Sequence, residues 1–293
     1  MAHSGHAHDH HDCAHTQRGP ARALAVAVGN TNTSFRALTD AYIDSPCDDI
    51  PTTDLRRRPG VVWKWLEHTA QTNADTAVLL GGVVPQALDA FERHLRARTK
   101  LRVMRFRKQL PCPISIKPKP ARNVGDDRLL AALDALCFLG HHSWVIVDSG
   151  TALTVNSVRA LKGVRVGSFE GGLIMPGETL AFKALAQGTA QLPDLSAKRY
   201  GMRDKLPLVG ENTADAIRAG VRWQQIHAAL ELAKAQAERL GKGARVLLTG
   251  GGLASLYPYA LTALKRYKPE VSSEAVPNGL LAAWIIWNER RKA

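Results

Sequence analysis

Two segments of this 293-residue chain repeat one local design. Residues 23–28 form an apolar run that breaks at Gly29-Asn30-Thr31-Asn32-Thr33 and resumes at Phe35. The run Val145-Ile146-Val147-Asp148 breaks at Ser149-Gly150-Thr151 and resumes through Ala152, Leu153 and Thr154. Each reads as strand, glycine turn, strand. Glycine lets a backbone approach a ligand closely, so several N–H groups can point at one cluster of oxygens, and Thr or Asn adds side-chain donors. One such turn is a weak signal, because any tight hairpin uses the same residues. Two in one chain, with further glycine loops at 171–177 and 249–252, point to two related lobes that clamp a phosphate-bearing ligand in the cleft between them.

The length accommodates one or two domains with a sizeable core. No apolar run approaches the roughly 18 residues of a membrane span, and the polar N-terminal residues lack the apolar core of a signal peptide. Cys13, Cys47, Cys112 and Cys137 follow no framework or CxxC spacing, which favours a reducing cytoplasm. Residues 1–22 read as a disordered tail carrying His3, His6, His8, His10, His11 and His15. Their spacing fits no closed tetrahedral site, so adventitious metal binding is the expectation. The net charge of +13 is concentrated in Arg93, Arg96, Arg98, Lys100, Arg102, Arg105, Arg107 and Lys108. No nucleic-acid-binding motif accompanies these residues. They read as a solvated helix face running into a basic loop, which argues against nucleic acid as a partner.

The remaining pattern alternates strand and helix. Strands are predicted at 23–28, 33–38, 76–80 and 101–105, and helices at 61–71 and 85–98. Four prolines between 111 and 120 predict an extended crossing. A helix is predicted from 129 to 139, with Asp126 and Asp127 at its positive end. The second block predicts strands at 143–148, 152–158 and 163–168, a tight loop at 171–177, helices at 178–187 and 212–240, a strand at 246–248 and a last helix from 277 to 290. The predicted fold is α/β, with lobes at 23–140 and 141–293.

Asp127 and Asp148 are the carboxylates of interest. Phosphoryl transfer needs a group that orients the acceptor hydroxyl, and Mg²⁺ needs an oxygen ligand. Asp127, beside Arg128, suits the first role, with the arginine holding an anionic substrate. Asp148, at a strand end, suits the second. Helix capping and turn formation explain the same two residues equally well from sequence.

With these pieces in place, the chain resembles the type III pantothenate kinases, of the superfamily of actin, sugar kinases and heat-shock chaperone ATPases. The resemblance spans residues 23–288. Residues 26–32 resemble the first phosphate motif, Asp-x-Gly-Asn-Thr. Gly82-Val83-Val84-Pro85 is similar to Ser-Val-Val-Pro, Gly125-Asp126-Asp127-Arg128 to Gly-x-Asp-Arg, and Asp148-Ser149-Gly150-Thr151-Ala152 to Asp-x-Gly-Thr-Ala. Residues 171–177 resemble Gly-Gly-x-Ile-x-Pro-Gly. Residues 189–193, Asn212-Thr213 with Gly220, Thr249-Gly250-Gly251 and Asn278-Gly279-Leu280 follow in the family's order.

The resemblance implies two ribonuclease-H-like lobes with mixed sheets, a homodimer, and ATP-dependent phosphorylation of pantothenate, the first committed step towards coenzyme A. It implies Mg²⁺ and a monovalent cation, K⁺ or NH₄⁺. Carried over, Asp127 is the general base. Gly125, Arg128 and Thr189 bind pantothenate. Gly29, Asn30, Thr31, Gly150 and Thr151 bind ATP phosphates, and Asp148 organises the metal.

The chain departs from the family's pattern at three places. Ala27 stands where the first motif has aspartate, leaving one fewer carboxylate for Mg²⁺. Asp126 brings a second negative charge beside Asp127. Asn156 stands where an acid is usual. Two alternatives therefore accompany the kinase reading: a catalytically weak or inactive relative acting as a regulator or binding protein, and a kinase for another small hydroxy acid.

Overall fold

The structure, a computed structural model, describes residues 21–40, 42–45, 48–164, 166–197 and 206–292. The histidine-rich segment and the disorder expected for it lie outside the described residues.

Continuous apolar runs, buried on both faces, build the centre of the first sheet. β1 (Ala21–Val28) runs antiparallel to β2 (Asn32–Leu38), setting Ala27 opposite Ser34. On its other side β1 pairs in parallel with β5 (Thr72–Gly82), and β5 pairs with β6 (Arg102–Arg105). The short strands β3 (Ile43–Asp44) and β4 (Ile50–Pro51) both pair with β2. The second sheet repeats this plan. β8 (Trp144–Ser149) is central. It is antiparallel to β9 (Ala152–Arg159), which is antiparallel to β10 (Ser168–Pro176). β11 (Arg245–Thr249) and then β12 (Glu270–Val271) follow in parallel on its far side. A two-residue strand, β7 (Ser115–Ile116), is added at the β10 edge. Counting the strands shared by both sheets from each hairpin, the order is third, second, first, fourth, fifth, with only the second antiparallel to its neighbours. Two α/β lobes of ribonuclease-H-like topology result, and the repeat is far plainer in topology than in sequence.

Helices cover the sheets in three layers. α1 (Thr52–Arg57), α2 (Pro59–Thr69) and α3 (Pro85–Arg98) bury Leu55, Trp63, Leu66, Leu88 and Phe91 against Leu24, Val26, Phe35 and Val78 on the outer face of the first sheet. α6 (Thr213–Leu240) and α7 (Leu253–Ala263) cover the outer face of the second with Ile226, Leu230 and Leu256. α5 (Glu178–Gly188) packs on α6 through Phe182, Ile217 and Val221. Between the sheets lie α4 (Asp126–Phe138) and α8 (Ala275–Lys292). Their core includes Ala23, Ala25, Ala27 and Leu79 from the first sheet and Trp144, Ile146 and Leu247 from the second. The two helices cross closely: a Cβ on Gly279 would overlap the Leu130 backbone. This middle layer belongs to both sheets, and α4 carries Asp127 and Arg128 into the space between them.

Two sequence expectations fail around β10. The strand expected at 163–168 is not found over 163–164 and 166–167; Gly163 sits in a turn at φ +75°, and pairing begins at Ser168. Residues 171–177 are not a tight loop, because β10 continues to Pro176. The ladder shifts register between Phe169 and Gly171, where φ is +116°, and a Cβ on Gly172 would overlap Val155 and Asn156. These glycines serve a bulge and a close strand approach, which in sequence look like a turn. The basic segment is partly absorbed into the fold. Arg96 pairs with Glu92 and Arg105 with Asp89 and Glu92, while Arg102 stacks on Trp287.

Candidate active site

The first turn is shaped by its backbone and braced from behind. Gly29 N–H donates to the Asn32 carbonyl at 2.9 Å, and a Cβ on Gly29 would stand 2.8 Å from that oxygen. Thr52, the first residue of α1, donates its hydroxyl to the Gly29 carbonyl at 2.7 Å and its N–H to the Thr31 carbonyl at 2.9 Å. The Thr52 hydroxyl also lies 3.1 Å from the buried hydroxyl of Thr33. These bonds occupy the turn's inner polar groups and leave Asn30 and Thr31 exposed.

The second turn is closed by Gly150 N–H donating to the Ala152 carbonyl at 3.1 Å. Gly177 N–H donates to the Thr151 carbonyl at 3.1 Å, and Gly252 N–H to the Ser149 carbonyl at 2.6 Å. Gly177 is required here, since a Cβ would overlap the carbonyls of Gly150 and Thr151. The two turns face each other: the Thr31 and Thr151 hydroxyls are 3.2 Å apart. The residues predicted from the two hairpins thus converge at one place.

Asp148, the last residue but one of β8, lies between Thr154 of β9 and Thr249 of β11. Its carboxylate lies against Gly250, where a Cβ would collide with it, and near Gly150. Burial, and then the charge of Asp127, push its pKa up to about 7. Asp127 is also raised, by burial, although its Oδ1 accepts the Arg128 backbone N–H at 2.8 Å. That bond lies inside the first turn of α4, whose N-cap is Gly125 without a side-chain cap bond, and it engages one oxygen. Gly125 at the helix entrance leaves room for the same oxygen, 2.5 Å from where a Cβ would stand. Two neighbouring carboxylates, both harder to ionise than usual, form a place where a cation would be welcome.

Arg128 is half-buried. Its Nε donates to Asn156 Oδ1 at 2.7 Å, and its guanidinium carbon lies 5.3 Å from the Phe169 ring centre. Burial lowers its pKa and Asp127 opposes that shift. The charge of Asp126 is answered from a distance in sequence, because Arg107 pairs with it at 3.2 Å and donates to the carbonyls of Val124 and Ala121. Ala27 is 4 % exposed within the middle layer, opposite Ser34 and Gly81. Asp49 reaches the neighbourhood of the first hairpin by accepting from the Ser34 hydroxyl at 2.9 Å.

Thr189 follows α5, and its hydroxyl donates to the Leu185 carbonyl of that helix at 2.7 Å; among the described residues it makes no bond to Asp127 or Arg128. Asn212 caps α6, its Oδ1 accepting from Asp215 N–H at 2.9 Å. Sequence reasoning missed Thr52 and Phe169. A threonine that opens a six-residue helix and a phenylalanine in a glycine-rich strand carry no local signal of these contacts. Among the described residues no group of three or more His, Cys, Asp or Glu is placed to hold a metal ion by itself.

The family model for type III pantothenate kinase matches residues 23–235. A type III pantothenate kinase of Caulobacter vibrioides is 32 % identical over 260 residues, covering 85 % of this chain and 93 % of the relative. Its counterpart in Phenylobacterium zucineum is also 32 % identical, over 89 % of this chain and 96 % of the relative. A third, from Maricaulis maris, is 30 % identical over 90 % and 97 %. By its matched residues, its motif order and the length over which these relatives align, the chain belongs to the type III pantothenate kinase family.

Proposed function

We propose that this chain phosphorylates pantothenate with ATP to give 4′-phosphopantothenate, the entry to coenzyme A synthesis. The observation that carries the reading is the approach of two glycine turns to 3.2 Å at their threonines, with Asp127, Arg128 and Asp148 grouped nearby. Gly29, Asn30 and Thr31 from one lobe and Gly150 and Thr151 from the other offer donors to the ATP phosphates. Asp127 accepts the proton of pantothenate's primary hydroxyl; its raised pKa makes it a better base than a free carboxylate. Arg128 holds the substrate's carboxylate, with Gly125 leaving space beside it and Thr189 assigned to the same pocket. Lobes at 23–140 and 141–293 supply the two turns.

Mg²⁺ fits this donor set. It keeps most of its shell for water and phosphate oxygens and needs only one or two protein carboxylates. Asp148 would hold it, and it would neutralise phosphate charge. A requirement for K⁺ or NH₄⁺ belongs to the same proposal. The Asn156 amide, however, is already committed to Arg128 and Thr154. Homodimerisation is proposed through apolar surface on successive packed elements: Leu173 and Ile174 of β10, Leu180 of α5, and Leu208 and Val209 before α6. Ile174 is 64 % exposed and Leu208 86 %. No helix among the described residues is long and apolar enough to cross a membrane; a cytoplasmic location is proposed on the same reading.

The test is a coupled phosphotransfer assay with ATP, Mg²⁺, K⁺ and pantothenate. Turnover is expected, and Asp127→Asn should lower kcat about 10³-fold, the upper part of the usual range for a base or a positioned charge. A second reading rests on Ala27: ATP and pantothenate binding without turnover would make the chain a regulator or binding protein. Turnover with a different hydroxy acid in preference to pantothenate would redirect the substrate assignment.

A further inference from the structure

We infer that Asn156 is a positioning residue for Arg128, and that through it Asn156 sets how tightly a carboxylate-bearing substrate is held. The inference rests on the proposed kinase reading and deepens it. Asn156 is 1 % exposed, in the middle of β9. Its amide is satisfied in two directions. Oδ1 accepts from Arg128 Nε at 2.7 Å, and Nδ2 donates to Thr154 Oγ1 at 2.8 Å. The arginine settles which end of the amide faces it, since its Nε only donates and a nitrogen there would meet a second donor, whereas the Thr154 hydroxyl accepts from the other end.

The guanidinium is therefore fixed on two sides, by the acceptor at Nε and by the Phe169 ring 5.3 Å from its centre. Among the described residues its two terminal nitrogens make no hydrogen bond to the protein. That is the arrangement a planar carboxylate needs for two parallel bonds. Without the acceptor, Nε would be left half-buried and unpaired, and the side chain would turn to find another. Thr154 stands opposite Asp148 across the β8–β9 hairpin. The same strand pair that seats the carboxylate next to the phosphate turn thus also sets the arginine, which fixes the spacing between the two ends of the substrate.

Steady-state kinetics on the full chain with ATP, Mg²⁺ and pantothenate test this. Asn156→Leu should raise the KM for pantothenate about tenfold, with kcat and the KM for ATP within about threefold, as expected for a lost ground-state contact. Asn156→Asp keeps an acceptor at the same reach and should return the KM to within about threefold of the parent. Asn156→Ser, shorter but still polar, should match Asn156→Leu and serves if the leucine variant does not fold. In an Arg128→Gln background, Asn156→Leu should add nothing, because its effect passes through the arginine. A normal KM in both variants, or the same rise in the absence of Arg128, overturns the inference while leaving the kinase reading standing. A parent protein that neither turns over nor binds pantothenate overturns the kinase reading and this inference with it.

Discussion

The two glycine turns have the same backbone plan and different foundations. Under the second lies Asp148, a raised carboxylate seated against Gly150 and Gly250. At the corresponding point under the first lies Ala27, flanked by Ser34 and Gly81 and packed into the layer formed by α4 and α8. The first turn nonetheless keeps its shape, because Gly29 and the brace from Thr52 define it without help from a carboxylate. On the proposed reading, holding phosphate and organising its metal are separable duties: the second turn has the parts for both, and the first has the parts for holding only.

The largest effect that can test this asymmetry is Asp148→Asn, expected to lower kcat about 10³-fold, or about 4 kcal/mol of transition-state stabilisation. An equal loss from Ala27→Ser would break the comparison. The same variant tests the electrostatics. Asp148 has a folded pKa of about 7, above its ordinary 3.8, so the folded state binds the extra proton. Stability from this group is present below the unfolded value and is lost as pH rises towards 7. Asp148→Asn should therefore melt a few degrees higher than the parent at pH 8 in the absence of nucleotide, and the gap should close near pH 4. Calorimetry across that range decides it.

Ala27→Asp sharpens the comparison from the other side. Turnover at limiting Mg²⁺ should rise about tenfold, while the buried carboxylate, without its metal, costs several kcal/mol of stability. Unchanged turnover in a folded variant would mean that Ala27 does not account for the asymmetry. The smallest expected effect is Thr52→Val, which removes the hydroxyl donor to the Gly29 carbonyl. The KM for ATP should rise about fivefold, matching the roughly 1 kcal/mol of one hydrogen bond, with pantothenate's KM unmoved.

Much of this was legible in the sequence where a signal is local and strong. Both hairpins, α3, α4, α6 and α8 follow from apolar periodicity and from turn residues at their ends. The convergence of Gly29–Thr31 with Ser149–Thr151 was expected from their repetition. What escaped had no local signature. α1 is one and a half turns long, and α7 contains Pro258, so neither shows a clean helical period. β10 carries glycines that look like a loop until its neighbour Val155 is in place. The charge that Asp126 brings beside Asp127 is paired by Arg107, 19 positions earlier, a contact that no local pattern announces. In sequence Asn156 is only the absence of an acid, and its bonds to Arg128 and Thr154 exist because α4 lies against β9.

The middle layer has a consequence for how the protein is made. The inner face of the first sheet, with Ala23, Ala25 and Leu79, is covered by α4 and by α8, which is built from residues 275–292. On a ribosome the first strand emerges some 250 residues before the helix that covers it, a separation set by Ala21–Val28 and Ala275–Lys292. At about 5–20 residues per second, that face waits on the order of tens of seconds for its cover. The part of that face carried by the first strand is Ala23, Ala25 and Ala27, whose small side chains expose little apolar surface during the wait.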